Sequence, residues 1–265
     1  MQENVRSFAA RALLRWYIDA GVDEAVGPDP VDHFLTETIK PAAANSKPSP
    51  SAVTIVAAPT SPSADEAIAL AAKAAAACSS FAELEEAVSA FVGCSLKAGA
   101  RSTVFTDGVP CAPLLVIGEA PGRDEDAAGK PFVGRAGQLL DRMLAAIGRD
   151  RARDTLISNV VYWRPPGNRA PTQTEIAICR PFVDRLIELT APKAIMLAGG
   201  VSTQALLGVG GIMRARGRWR DIEISKGAKI PALPVFHPAF LLRQPAQKRL
   251  AWADLQKLAA RLRDD

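Results

Sequence analysis

The 265-residue chain is 48% hydrophobic and 23% charged, enough apolar material to bury a full core without disulfide or metal staples. No apolar run approaches the ~18–20 residues of a membrane span, and the N-terminal MQENVRSFAARALLRWYIDAG lacks the features of a secretory signal, so a cytoplasmic protein with no membrane partner is expected. A net charge of +4 points only mildly to a polyanionic partner, and it is uneven: residues 1–60 carry five Lys/Arg against seven Asp/Glu, leaving +6 for the remainder.

Residues 4–20 have the spacing of an amphipathic helix, with Phe8, Ala12, Trp16 and Ala20 on one face. A docking helix is the plain interpretation, and residues 1–40 form an N-terminal helical segment. Residues 41–63 are rich in Pro, Ala and Ser and too poor in large apolar side chains to pack, so they form a linker. The remaining residues, 64–265, form the main domain. Residues 64–77 are alanine-rich and helical. A second helix follows Ser79, with Ser80 as its cap and Glu83 completing a capping box.

From Pro113 the texture changes. APLLVIG is a short buried strand, RAGQLLDRMLAAIG a helix ending at Gly148, and DTLISNVVYW a strand. TQTEIAICRPFVDRLIELTA is a helix started by Thr172 or Thr174 and interrupted or bent near Pro181. KAIMLAGG is a strand, VSTQALLG a helix, IPALPVF a strand, and PAQKRLAWADLQKLAARLR a final helix. Apolar strands alternating with helices predict a three-layer αβα architecture around a mainly parallel four-stranded sheet. Such sheets bind ligands outside the carboxyl ends of their strands. The unusual loops sit at those ends: Gly118–Phe132, Asn159–Arg169, Gly199–Gly200 and His237–Arg243.

The first loop is neither GxGxxG nor a P-loop, so nucleotide binding is not indicated. Gly118 and Gly122 permit close approach of a ligand to the backbone. Glu119, Asp124, Glu125 and Asp126 crowd carboxylates into the loop, which then delivers Phe132 and Arg135 to a helix N-terminus suited to a phosphate. A tight turn with a solvated acidic edge would look the same over its first half. Asn159 is a neutral donor and acceptor able to read an amide-like edge. WRPPGNR, with Arg164, Asn168 and Arg169, is a stiff basic loop suited to a phosphate backbone, or a plain surface loop. His237, one of two histidines, heads a loop with an apolar tip, Phe240, Leu241 and Leu242, followed by Arg243. That is the pattern of a wedge entering a base stack.

Together, GEAPGRDEDAAGKPFVGRAGQLLDRML, NVVYWRPPGNRAPTQTEIAICRP and HPAFLLR resemble the motifs of the family 4 uracil-DNA glycosylases, from about Phe91 to the C-terminus. The resemblance implies an enzyme that flips uracil out of single- or double-stranded DNA and hydrolyses its N-glycosidic bond, leaving an abasic site without lyase cleavage. It implies a uracil pocket of Gly118, the Ala120 backbone, Phe132 stacked on the base and Asn159 bonded to its edge. His237 would donate to the developing anion, and Glu119 and Glu125 would support the sugar cation, orient water or exclude a 5-methyl group. Arg135, Arg164, Asn168, Arg169, Phe240, Leu241 and Arg243 would hold DNA, with the protein monomeric.

Members of that family typically carry an iron–sulfur cluster on four cysteines. The matching positions here read Phe91, Cys94, Trp163 and Cys179. A cluster wants four thiolates, and the spacings of Cys78 and Cys111 fit no such set, so no cofactor and no metal are expected. The four cysteines form no CxxC pair and are expected as free thiols. A neighbouring branch traps its abasic product through a histidine in a basic KRRIH-like insertion; no such stretch is present. Two alternatives remain from the residues: a catalytically weak binder of uracil or abasic sites with the same fold, and a hydrolase acting on small nucleosides or nucleotides.

Overall fold

A computed structural model describes residues 62–224 and 227–263. The helix expected over residues 4–20, and the linker up to residue 61, lie outside the described residues.

Ser63 caps the first described helix, α1 (Ala64–Ala77), in a reciprocal capping box with Glu66. Ser80 caps α2 (Phe81–Ala90) as expected, but the Glu83 carboxylate turns back to the Ser79 N–H at 2.6 Å. A short α3 (Leu96–Gly99) leads into β1 (Thr106–Gly108) and β2 (Leu114–Gly118). Then follow α4 (Arg123–Ala128), α5 (Arg135–Ala145), β3 (Thr155–Asn159) and α6 (Gln173–Thr190). Thr172 caps α6, and the helix runs through Pro181 as one element, without the interruption expected there. The chain continues through β4 (Ala194–Ala198), α7 (Gly200–Leu207), α8 (Ile212–Ala215), β5 (Arg220–Glu223) and β6 (Lys229–Val235). It ends in α9 (Pro238–Arg243) and α10 (Lys248–Arg263).

Among the described residues the strands form one sheet in the order β1-β3-β2-β4-β6-β5. The four central strands, β3, β2, β4 and β6, are parallel, as the sequence predicts. Two antiparallel edge strands, β1 on β3 and β5 on β6, bring the sheet to six. Both edges are short and polar, TDG and RDIE, and so carry no strand periodicity of their own.

Successive residues of β2 feed opposite cores. Leu115 and Ile117 pack with α1, α2 and α6, while Leu114 and Val116 pack with α5 and α10. β4 does the same, with Ile195 and Leu197 on one side and Ala194, Met196 and Ala198 on the other. A sheet buried on both faces needs such runs, which is why these strands read as continuously apolar. After β2 the chain crosses to β3 on one side; β4 and β6 lie on the other. The carboxyl ends of β2 and β4 therefore flank a switch point, the usual place for a ligand in an open parallel sheet.

Candidate active site

The four expected loops converge there on one cavity of about 630 Å³. Its lining includes Glu119, Ala120, Glu125, Phe132, Asn159, Asn168, Arg169, His237, Phe240 and Arg243.

Gly118 ends β2 opposite Asn159 in the register with β3. A Cβ at this glycine would lie 2.4 Å from the Asn159 Oδ1 and 2.5 Å from the Phe132 ring. Glycine is required because the amide and the ring close over this backbone. Asn159 is 2% exposed, yet no hydrogen bond engages its side-chain amide among the described residues. The amide lines the cavity and keeps its donors and acceptor available to a ligand.

Phe132 is 5% exposed and stacks on the His237 ring, centroids 5.5 Å apart. Its φ of 53° lies in the left-handed region, a conformation that costs an aromatic residue about 1–3 kcal/mol unless its surroundings enforce it. They do: the Glu125 carboxylate accepts from the N–H groups of Val133 at 3.0 Å and Gly134 at 2.9 Å, and from Gly122 at 3.1 Å. Both Glu125 oxygens are thus engaged by backbone. These contacts fasten the two ends of the loop, and Glu125 also borders the cavity. Asp126 does similar work on the far side, accepting from Arg101 and Ser102 N–H groups at 2.9 and 3.1 Å. Glu119 differs. It lines the cavity, no hydrogen bond to its carboxylate is formed among the described residues, and burial raises its pKa. Of the two cavity-lining carboxylates in this loop, Glu119 is the one no backbone N–H engages.

His237 caps α9. Its Nδ1 accepts from the Ala239 N–H at 3.1 Å, so the proton of the neutral ring sits on Nε2. Burial lowers its pKa to about 4, with the Arg243 charge adding to the effect and Glu125 opposing it. The side chain is therefore a neutral, fixed donor near pH 7.

The basic and wedge residues are less uniform than the sequence suggests. Arg135 and Arg243 are exposed. Arg164 is half-buried and donates to the Asn168 Oδ1 at 2.7 Å, stiffening a turn in which Gly167 and Asn168 both have positive φ. Arg169 donates twice to Glu175, at 2.9 and 2.6 Å, so its guanidinium anchors the loop to α6 and is not a free phosphate ligand. The segment expected as an apolar loop tip is helix α9: Leu241 is 1% exposed and belongs to the core, leaving half-buried Phe240 and Leu242 with Arg243 at the surface. One contributor escaped the sequence analysis, Ile212, which lines the cavity from α8. The Gly-rich GVGGIMRARGR stretch around Ile212 was the available signal.

Positions 91, 94, 163 and 179 also meet in space, on the side of the sheet covered by α6. The rings of Phe91 and Trp163 stack at 6.4 Å, and Phe91 meets Phe182 edge-on at 5.1 Å. Trp163 is fully buried and its Nε1–H donates to the Thr103 Oγ1 at 3.0 Å. Cys94 and Cys179 are buried free thiols of the same core, and the neighbouring Cys94 pushes the Cys179 thiol pKa up, with burial acting in the same direction. Two thiols and two packed rings do not fit a four-thiolate cluster.

Comparison with known proteins agrees with this geometry. The model of the uracil DNA glycosylase superfamily matches residues 105–256. A type-4 uracil-DNA glycosylase of Sulfurisphaera tokodaii is 35% identical over 184 residues, 66% of this chain and 82% of that protein. One of Archaeoglobus fulgidus is 38% identical over 152 residues, 56% of this chain and 75% of its own length. One of Thermotoga maritima is 34% identical over 176 residues, 66% and 90% of the respective lengths.

Proposed function

The chain belongs to the uracil DNA glycosylase superfamily, and on that premise we propose that it is a monofunctional DNA repair glycosylase that hydrolyses the bond between uracil and deoxyribose and leaves the strand intact. The observation that carries this is the convergence of Asn159, Phe132 and a neutral His237 donor on one cavity. The target base leaves the stack to enter it. Phe132 lies along the base, and the Asn159 amide accepts from uracil N3–H while donating to O4. As the glycosidic bond breaks, charge develops on the base, and His237 Nε2–H donates to that anion. A donor already fixed in place stabilises it without reorganisation. Glu119 faces the oxocarbenium-like sugar and the incoming water.

Residues 64–265 constitute the catalytic unit, acting as a monomer in the cytoplasm on single- or double-stranded DNA. Arg135, Arg164 and Arg243 border the cavity mouth or its loops and grip phosphates. No iron–sulfur cluster takes part, in keeping with the Phe91–Trp163 pair. The test is uracil release from a single-stranded and a duplex oligonucleotide. The expected product is free uracil and a strand that breaks only after alkali. Binding without release would leave a non-catalytic binder, and a strand nicked without alkali would indicate lyase chemistry.

A further inference from the structure

Arg151 lies in RDRARD, a run that reads as solvated surface charge, yet its side chain is only 17% exposed. Its guanidinium reaches the loop that carries Phe132. Nη1 donates to the Pro131 carbonyl at 3.1 Å and Nη2 to the Phe132 carbonyl at 2.8 Å. The same group is held from behind by Asp107 of β1 at 2.9 Å and Asp141 of α5 at 2.9 Å. Gly137 permits the approach of α5, since a Cβ there would fall on the Phe132 carbonyl. Arg151 thus holds the carbonyls of both peptide groups flanking the Phe132 side chain, while Glu125 holds the N–H of the second, at Val133, and that of the next peptide, at Gly134. A left-handed φ at an aromatic residue persists only when its surroundings over-determine it.

We infer that Arg151 is a positioning residue for the pocket: it fixes the backbone of Phe132 and so the plane against which the base stacks, without itself touching substrate. The Asp107 and Asp141 carboxylates orient its planar fork, and a point-charge ammonium could not span both carbonyls in the same way. The inference rests on the glycosylase function for its catalytic consequence, but not for its structural one.

Both consequences are measurable. The chain has two histidines, and the His237 imidazole C2–H proton is assigned by its loss in His237→Gln. In wild type it feels the ring current of Phe132. In Phe132→Leu its resonance moves; in Arg151→Met it is expected to move in the same sense, and in the double variant no further. Single-turnover excision is expected to fall roughly 10- to 100-fold in Arg151→Met, the scale of a misplaced contact. In the Phe132→Leu background the same change should cost less than about three-fold, because coupled sites are not additive. If Arg151→Met does not fold, Arg151→Lys, which keeps a positive charge between Asp107 and Asp141, is read in the same way. A His237 resonance unmoved by the Arg151 substitution, or rate losses that multiply, overturns the inference. A wild-type protein that releases no uracil overturns the proposed function instead, and the His237 resonance still decides whether Arg151 holds Phe132.

Discussion

Asn159 and Trp163 stand four residues apart, at and just beyond the end of β3, and they belong to two different kinds of interior. Around Asn159 polar groups gather at a cavity: an amide with no hydrogen-bond partner among the described residues, an aromatic residue at positive φ, a histidine forced neutral and a carboxylate with a raised pKa. Around Trp163 the interior is packed: stacked rings, a satisfied indole N–H and two buried free thiols, with the Tyr162 hydroxyl left without a partner among the described residues. The first region holds polar groups in readiness for a ligand. The second packs as an ordinary core does, around the positions of Phe91, Cys94, Trp163 and Cys179. Polar groups converging on a cavity, more than burial itself, separate a site from a core.

The contrast breaks if substitutions in the two regions have the wrong kind of effect. The largest expected loss is at Asn159. Asn159→Asp removes the donor to uracil O4 and sets a carboxylate beside it, and excision should fall on the order of 10⁴-fold in single turnover. His237→Ala should slow chemistry roughly 10²–10³-fold while binding to uracil DNA persists in a mobility-shift assay. The pH dependence sharpens this point. Because the folded pKa of His237 is about 4, against 6.5 unfolded, stability linked to this group is fully present above pH 6.5 and is lost as pH falls towards 4. The rate should show no histidine break near 6.5, and its acid limb should lie above the ordinary carboxylate range, following Glu119.

In the other region the effect should be on stability alone. Trp163→Ala should lower the unfolding free energy by about 3–5 kcal/mol in denaturant titration, with the excision rate per folded molecule nearly unchanged. Smaller still are the phosphate contacts. Replacing Arg164 or Arg243 by alanine should flatten the log–log salt dependence of duplex binding by about 0.9 unit each, and Arg169→Ala by less, since Glu175 occupies that guanidinium. Removing residues 1–61 should leave excision unchanged, because the cavity residues among those described all lie at or beyond Glu119.

Much of the site was legible because glycine and proline interrupt apolar runs at the ligand end of the sheet; Gly118, Asn159, Gly199 and His237 all follow such strands. The roles inside a loop were not. Four carboxylates between 119 and 126 look alike in sequence, and only the folded loop shows that Glu125 and Asp126 bind backbone while Glu119 does not. The six-residue α9 is too short for helical periodicity to show that Leu241 faces inward. Strands β1 and β5 exist through pairing with β3 and β6, long-range partners that no local pattern encodes. Arg151 hid in a charge run for the same reason: its carbonyl partners are 19 and 20 residues away.

The central claim is that the cavity works while the cysteine corner serves only as core. One preparation, assayed for iron per chain and for uracil released per chain from a single-stranded uracil oligonucleotide in single turnover, tests both halves at once. Full release by protein with no stoichiometric iron is the predicted result. Release that rises in proportion to bound iron, or no release from a folded chain, would contradict it.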